Sequence, residues 1–231
     1  MRHLGSTVET FLRKRVVKTS DGAWNQLLSE DDFVKELMRR EGVWWSHDGN
    51  VSKPHVGLEG NECSDSYFNM EGITSNAQFS EMMAIIMVAK FEMELGLEIK
   101  ADWVVGSSFA KNVAGILKAK FISIENGTVD PRVKEIGVND VVFQIENVVT
   151  DRREVKLTRK KIGDQGARFL RWFPVVGILA YRPLMLLDAT SLGDQRCLTV
   201  LNHPQDVIRT ENCPLCRGGS ERLDPKKILN F

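Results

Sequence analysis

The run Val141 to Val155, VVFQIENVVTDRREV, holds the residue types best placed to do chemistry. An apolar stretch reaches Glu146 and Asn147, crosses two valines, and enters the charged, helix-prone segment Thr150, Asp151, Arg152, Arg153 and Glu154. A buried strand that ends at a polar turn ahead of a helix is where α/β proteins hold phosphorylated ligands, since a helix start offers unpaired N–H groups and the positive end of its dipole. A second loop of this kind, Gly106-Ser107-Ser108-Phe109-Ala110, follows Val104-Val105, and its small residues let backbone N–H groups approach a diphosphate. Glu146 and Thr150 suit the capping of the following helix equally well.

Cysteine spacing offers a separate chemistry. Cys213 and Cys216 have the gap of a zinc knuckle, and Cys197 with His203 completes four tetrahedral ligands in a Cys-x5-His-x9-Cys-x2-Cys arrangement. The alternative is reduced thiols that pack, or a redox-sensitive pair. Cys63 reads as part of a loop, and His47 and His55 as surface residues. Four cysteines in a chain of this size are too few for a disulfide scaffold and fit a reducing cytoplasm.

The elements that must position these residues are bounded by composition. With 231 residues, 42% of them hydrophobic and 27% charged, the chain can bury a full core. Thirty-one basic residues balance thirty-one acidic ones, so no global field draws the protein to nucleic acid or an anionic membrane. Its longest apolar runs, Met82 to Ala89 and Phe173 to Ala180, fall far short of the roughly 20 residues of a membrane span. Leu4, Val8, Phe11 and Leu12 recur at helical spacing, which fits a docking helix or an organellar presequence.

Ser29 and Asp32 form a capping box ahead of Phe33, Val34, Leu37 and Met38, with Gly42 as the stop. Val43-Trp44-Trp45 and Val51 flank Asp48-Gly49, which predicts a tight hairpin. At most one of the two tryptophans can line a site, and burial against the first helix is the expected role. Ser75 to Leu95 keeps a methionine-rich helical period that reads as core. Beyond it, strands at Trp103–Val105, Lys120–Ile124, Val141–Ile145 and Pro174–Tyr181 alternate with helices to about Leu117 and from about Asp151 to Gln165. That alternation predicts right-handed crossovers and an α/β fold, a central parallel sheet flanked by helices. The expected division is residues 1–70 as N-terminal helices and a helix/hairpin hood, 71–195 as the α/β core, and 196–231 as a strand and cysteine-containing tail.

In combination these segments resemble the type I phosphoribosyltransferases, in their orotate phosphoribosyltransferase branch. Glu146-Asn147-Val148-Val149-Thr150-Asp151-Arg152-Arg153-Glu154 occupies the frame of that family's phosphoribosyl diphosphate motif, two acidic residues, two apolar ones, then Thr-Thr-Gly-Gly-Ser. Only the first half is retained: Asn147 replaces a carboxylate, and Asp151 to Glu154 replace the small residues of the phosphate cradle. Gly60 to Asn69, with Tyr67 and Phe68, is similar to the stretch bordering the base pocket, and the Val-Val-Gly loop is similar to the diphosphate loop. Arg182 matches the arginine that grips the orotate carboxylate, and Cys213-Pro214-Leu215-Cys216 with Gly218 resembles the tail of a longer subgroup. The resemblance runs from about Leu37 to Lys226.

It implies transfer of phosphoribose from phosphoribosyl diphosphate, with Mg2+, to orotate or a related pyrimidine-like base. It also implies a homodimer in which a mobile loop between Ile124 and Gly137 supplies the catalytic cation; Arg132 and Lys134 are the candidates there, beside Glu146. The degenerate cradle sets a second expectation against it, a catalytically inactive member of the fold acting as a nucleotide-binding regulator or scaffold. Neither a nucleic-acid nor a membrane partner is expected, and a Zn2+ at the C-terminal cysteines is the second candidate ion.

Overall fold

The computed structural model describes residues 16–18, 24–27, 30–96, 98–125, 128–137, 139–149, 152–164, 171–172, 175–180, 197–203 and 207–229. The N-terminal helix expected around Leu4 to Leu12 lies outside them. Two short strands, β1 (Val16–Lys18) and β2 (Trp24–Leu27), pair antiparallel. Helix α1 (Glu30–Arg40) follows, with Val34 and Met38 fully buried and Gly42 beyond its end at φ +66°. Glu36 pairs with Arg39 and Arg40 on its outer face.

The hairpin expected at Asp48-Gly49 is not formed. Strand β3 (Trp44–Ser46) pairs instead with β6 (Ser66–Phe68), Trp44 opposite Phe68. The reason is local: Gly49 N–H donates to His47 Nδ1 at 2.9 Å, Asn50 N–H to Asp48 Oδ1 at 3.1 Å and Ser52 N–H to Asn50 Oδ1 at 3.0 Å. These side chains take the donors that a strand ladder would have used. The true hairpin joins β4 (His55–Leu58) to β5 (Glu62–Ser64) around Gly60 and Asn61, both at positive φ, residue types that tolerate it. Trp44 is buried in the core cluster that contains Val34 and Met38, as expected.

The helix expected over Ser75 to Leu95 forms as α3 (Ala77–Leu95), its start set by the Asn76 side chain, which caps it by accepting the Phe79 N–H at 3.1 Å; a short separate helix, α2 (Met70–Ser75), precedes it. Met83, Met87 and Phe91 on α3 are fully buried, so the methionine stripe is core.

The central sheet contains β7 (Trp103–Gly106), β8 (Lys120–Glu125), β10 (Val141–Val149), β12 (Val175–Ala180) and β13 (Cys197–Asn202) in the spatial order β13-β12-β10-β7-β8, every neighbour parallel. Strand β9 (Thr128–Val129) adds antiparallel to β8, and β11 (Arg171–Trp172) pairs with the first residues of β10. Helix α4 (Ala110–Leu117) connects β7 to β8, and α5 (Arg152–Asp164) follows β10. Alternate residues of each strand feed opposite faces. Val104, Phe143 and Ile145 pack with α3 and α4, whereas Trp103, Val105 and Val142 pack with Ile162 of α5. Among the described residues no helix is long and apolar enough to cross a membrane.

Candidate functional site: the crevice between β7 and β10

Counted along the chain, the parallel strands lie side by side in the order β8, β7, β10, β12, β13, so the winding direction reverses between β7 and β10. In open α/β sheets that reversal parts the two following loops and leaves a crevice at the carboxyl ends of the strands. Both candidate loops emerge there. Gly106 pairs with Ile145 at the end of the β7–β10 ladder, and the Ser107 hydroxyl donates to Asn147 Oδ1 across the gap at 2.6 Å.

Gly106 is a glycine for a steric reason. A Cβ at this position would run into the Ile145 carbonyl oxygen and come within 2.8 Å of the Ala110 Cβ. The chain then enters α4 through backbone bonds from Ala110 to Ser107 and from Lys111 to Ser108. Ser107, half-buried, faces β10 through its bond to Asn147, and Ser108 is exposed. Phe109 and Ala110 are core residues, 1% and 0% exposed, and only their backbone is available to a ligand.

Strand β10 continues four residues past the predicted end, because Glu146 pairs with Gly177, Val148 with Leu179 and Val149 with Ala180 of β12. Glu146 and Asn147 are thus successive strand residues, and their side chains leave opposite faces of the sheet. Asn147 meets the β7 loop. Glu146 turns to the α5 face, where Gln144 Nε2 donates to its Oε1 at 2.6 Å and Arg159 Nε donates to Gln144 Oε1 at 2.9 Å. A fully buried amide therefore links the Arg159 guanidinium to the Glu146 carboxylate. Gln144 and Arg159 were missed in the sequence; the available signal was a lone amide inside an apolar strand, two residues before an acid and so on its face.

Thr150, Asp151 and Arg182 lie outside the described residues, and Arg152, Arg153 and Glu154 open α5 with side chains outside them. Arg132 and Lys134 sit in a 3-10 turn (Pro131–Glu135) beyond β9, at the edge of the sheet. Both are exposed. Arg132 closes on Asp130 with its Nε 3.0 Å from Oδ2, and that guanidinium holds the Asp130 carboxyl below the usual carboxylate range. Tyr67 is half-buried and lines a cleft of about 510 Å³ with Gly57, Arg222 and Asp224; burial, with Asp224 and Glu71 nearby, raises its phenol above its ordinary value. Phe68, expected beside a base, is 5% exposed and part of the hydrophobic core.

The cysteines are arranged differently from the expected set. Cys197 begins β13 opposite Val175, and the His203 ring stands edge-on to Trp44 at 4.7 Å. Cys213 and Cys216 meet His55 and Cys63 instead; His55, expected at the surface, is fully buried. Among the described residues this is the group able to hold a metal ion.

A parallel sheet with this strand order, helices on both faces and a crevice between the first and third parallel strands defines the class: the chain has the type I phosphoribosyltransferase fold. It superposes on Leishmania donovani UMP synthase with a TM-score of 0.54 at 12% identity, over 85% of this chain and 40% of that one. The chain thus spans less than half of that protein's length. Mycobacterium tuberculosis orotate phosphoribosyltransferase matches with a TM-score of 0.50 at 17% identity, over 75% of this chain and 95% of that one. An adenine phosphoribosyltransferase also matches at a TM-score of 0.50, with 12% identity, 75% of this chain and 100% of that chain. No protein-family model matches the sequence. No curated protein sequence matches it either.

Proposed function

We propose that the β7/β10 crevice binds phosphoribosyl diphosphate and that the protein transfers phosphoribose to orotate or a related base. The observation that carries this reading is the Ser107–Asn147 hydrogen bond, which joins the β7 loop to β10 at the switch point. In this reading the backbone of Gly106 to Ala110 cradles the diphosphate, with Gly106 letting the loop pack closely on β10. Asn147, on the β7-loop side, receives the ribose, with Thr150 and the start of α5 near the 5-phosphate.

Departure of diphosphate from the anomeric carbon builds positive charge on the sugar and negative charge on the leaving group, so positioning and electrostatics supply most of the rate. Mg2+ is bound through one or two carboxylates together with substrate phosphates, and Glu146 is a hard-oxygen donor that fits such a role. The ion would neutralise the departing diphosphate. The Gln144–Arg159 chain positions Glu146, and Arg182 with Tyr67 is assigned to the base.

One observation favours the second reading, an inactive member of the fold that binds nucleotide as a regulator or scaffold. Arg132 is engaged by Asp130, and Lys134 is left exposed at the sheet edge. Calorimetric titration with phosphoribosyl diphosphate and Mg2+, then with orotidine monophosphate, followed by a turnover assay, separates the two. Binding with turnover is the expected result. Binding without turnover assigns the regulator, and silence for both ligands overturns the crevice reading.

A further inference from the structure

We propose that His55, Cys63, Cys213 and Cys216 bind one structural Zn2+, which joins the β4–β5 hairpin to the segment carrying the Cys-Pro-Leu-Cys turn. Their four ligand atoms all lie within 4.8 Å of one another. Cys63 Sγ and Cys216 Sγ are 3.6 Å apart, and His55 Nε2 is 3.2 Å from Cys216 Sγ and 3.8 Å from Cys213 Sγ. Zinc bonds of about 2.3 Å to sulfur and about 2.0 Å to nitrogen set tetrahedral ligands roughly 3.8 Å apart for S···S and roughly 3.5 Å for S···N. The observed S···N spacings bracket the expected value, and the S···S spacing lies just under it. They exclude a disulfide, and the cysteines are free.

The surroundings are those of a metal site rather than of packed thiols. His55 Nδ1 lies 2.8 Å from Ser220 Oγ, and that hydroxyl donates to the Lys53 carbonyl at 2.7 Å. With its one proton committed, Ser220 Oγ must accept from His55 Nδ1–H, which fixes the tautomer whose Nε2 lone pair faces the sulfurs. Three sulfurs this close cannot share negative charge without a cation among them.

A small sheet surrounds the cluster, in the order β14-β5-β4-β15, where β14 (Val207–Arg209) and β15 (Arg222–Leu223) come from the far end of the sequence. The turn helix α6 (Pro214–Arg217) starts at Cys213. No strand in this sheet exceeds four residues. Such short pairings bury little apolar area, and small units of this kind depend on a staple. His55, Cys63 and Cys213 are at most 2% exposed, so the four ligands close the coordination sphere, as in structural rather than catalytic zinc sites.

The test is metal content and cobalt spectroscopy on the full chain. Protein produced with zinc should carry one equivalent, and Cys197→Ser should keep it. Cys216→Ser should lower it at least tenfold. Should that variant not fold, Co2+ exchanged into the unmodified protein decides the matter: intense tetrahedral d–d bands with thiolate charge transfer are expected, and X-ray absorption should return three sulfurs and one nitrogen. Metal content below a tenth of an equivalent in zinc-grown protein, a six-coordinate cobalt spectrum, or loss of metal in Cys197→Ser overturns the proposal. Orotidine monophosphate binding is measured on the same samples, so failure at the crevice and failure at the metal site remain separate results.

Discussion

Replacing Gly106 by alanine tests whether the β7 loop is shaped by close backbone approach. The added methyl meets the Ile145 carbonyl oxygen and the Ala110 Cβ. Neither can swing aside: Ile145 is fully buried in the β10 ladder, with β7 on one side and β12 on the other, and Ala110 opens α4. Overfilling a packed region costs about 1–3 kcal/mol, and a collision with backbone belongs at the top of that range. At about 2–4 °C per kcal/mol for a chain of this size, the expected fall in Tm is roughly 6–12 °C. Gly115, exposed on the same α4 helix with nothing within 4 Å of its would-be Cβ, is the control. Gly115→Ala should stabilise by about 0.5–1 kcal/mol through helix propensity alone. Urea unfolding of both variants, with unchanged slopes, gives a difference of about 4 kcal/mol of opposite signs. A Gly106→Ala midpoint equal to that of the parent would refute the steric argument and the reason given for glycine in the cradle.

Other outcomes follow from single contacts. Asp140 accepts the Gly137 amide at 2.8 Å and the buried Trp103 indole N–H at 2.7 Å, so Asp140→Ala should lose about 1–3 kcal/mol in a denaturant titration. The same two donors, the Gly137 amide first, lower the Asp140 carboxyl, so its contribution is complete above the unfolded value of about 3.9 and disappears as pH falls through the lower folded value. Asp140→Asn should flatten that acid limb of the stability profile. Gln144→Ala separates Glu146 from Arg159 and should weaken phosphoribosyl diphosphate binding several-fold by calorimetry; an unchanged affinity would remove Glu146 positioning from the site.

The fold was legible wherever burial alone decides the pattern. The alternation from Trp103 to Tyr181 carries the parallel sheet because strands covered on both faces read as unbroken apolar runs. What escaped was set by side chains competing locally. His47, Asp48 and Asn50 consumed the donors of the expected hairpin, and Asn76, as the cap of α3, separates it from the short helix Met70–Ser75 that the helical period did not mark. At the crevice, Glu146 and Asn147 were read as a turn because polarity marks loops, whereas ladder pairing with β12 keeps them in a strand. The His/Cys cluster followed the same rule. Spacing found Cys213 and Cys216, but their partners come from a hairpin far along the chain, a distance that local pattern cannot register.

That distance has a consequence for how the molecule is made. Cys63 leaves the ribosome 153 positions before Cys216, which at roughly 5–20 residues per second is a delay of roughly 8–30 s. Through that interval β4 and β5 have neither β15 nor β14 along their outer edges, and His55 and Cys63 have neither Cys213 nor Cys216. The nascent hairpin therefore waits with open edges, and the His/Cys cluster closes only once the Cys-Pro-Leu-Cys turn reaches it.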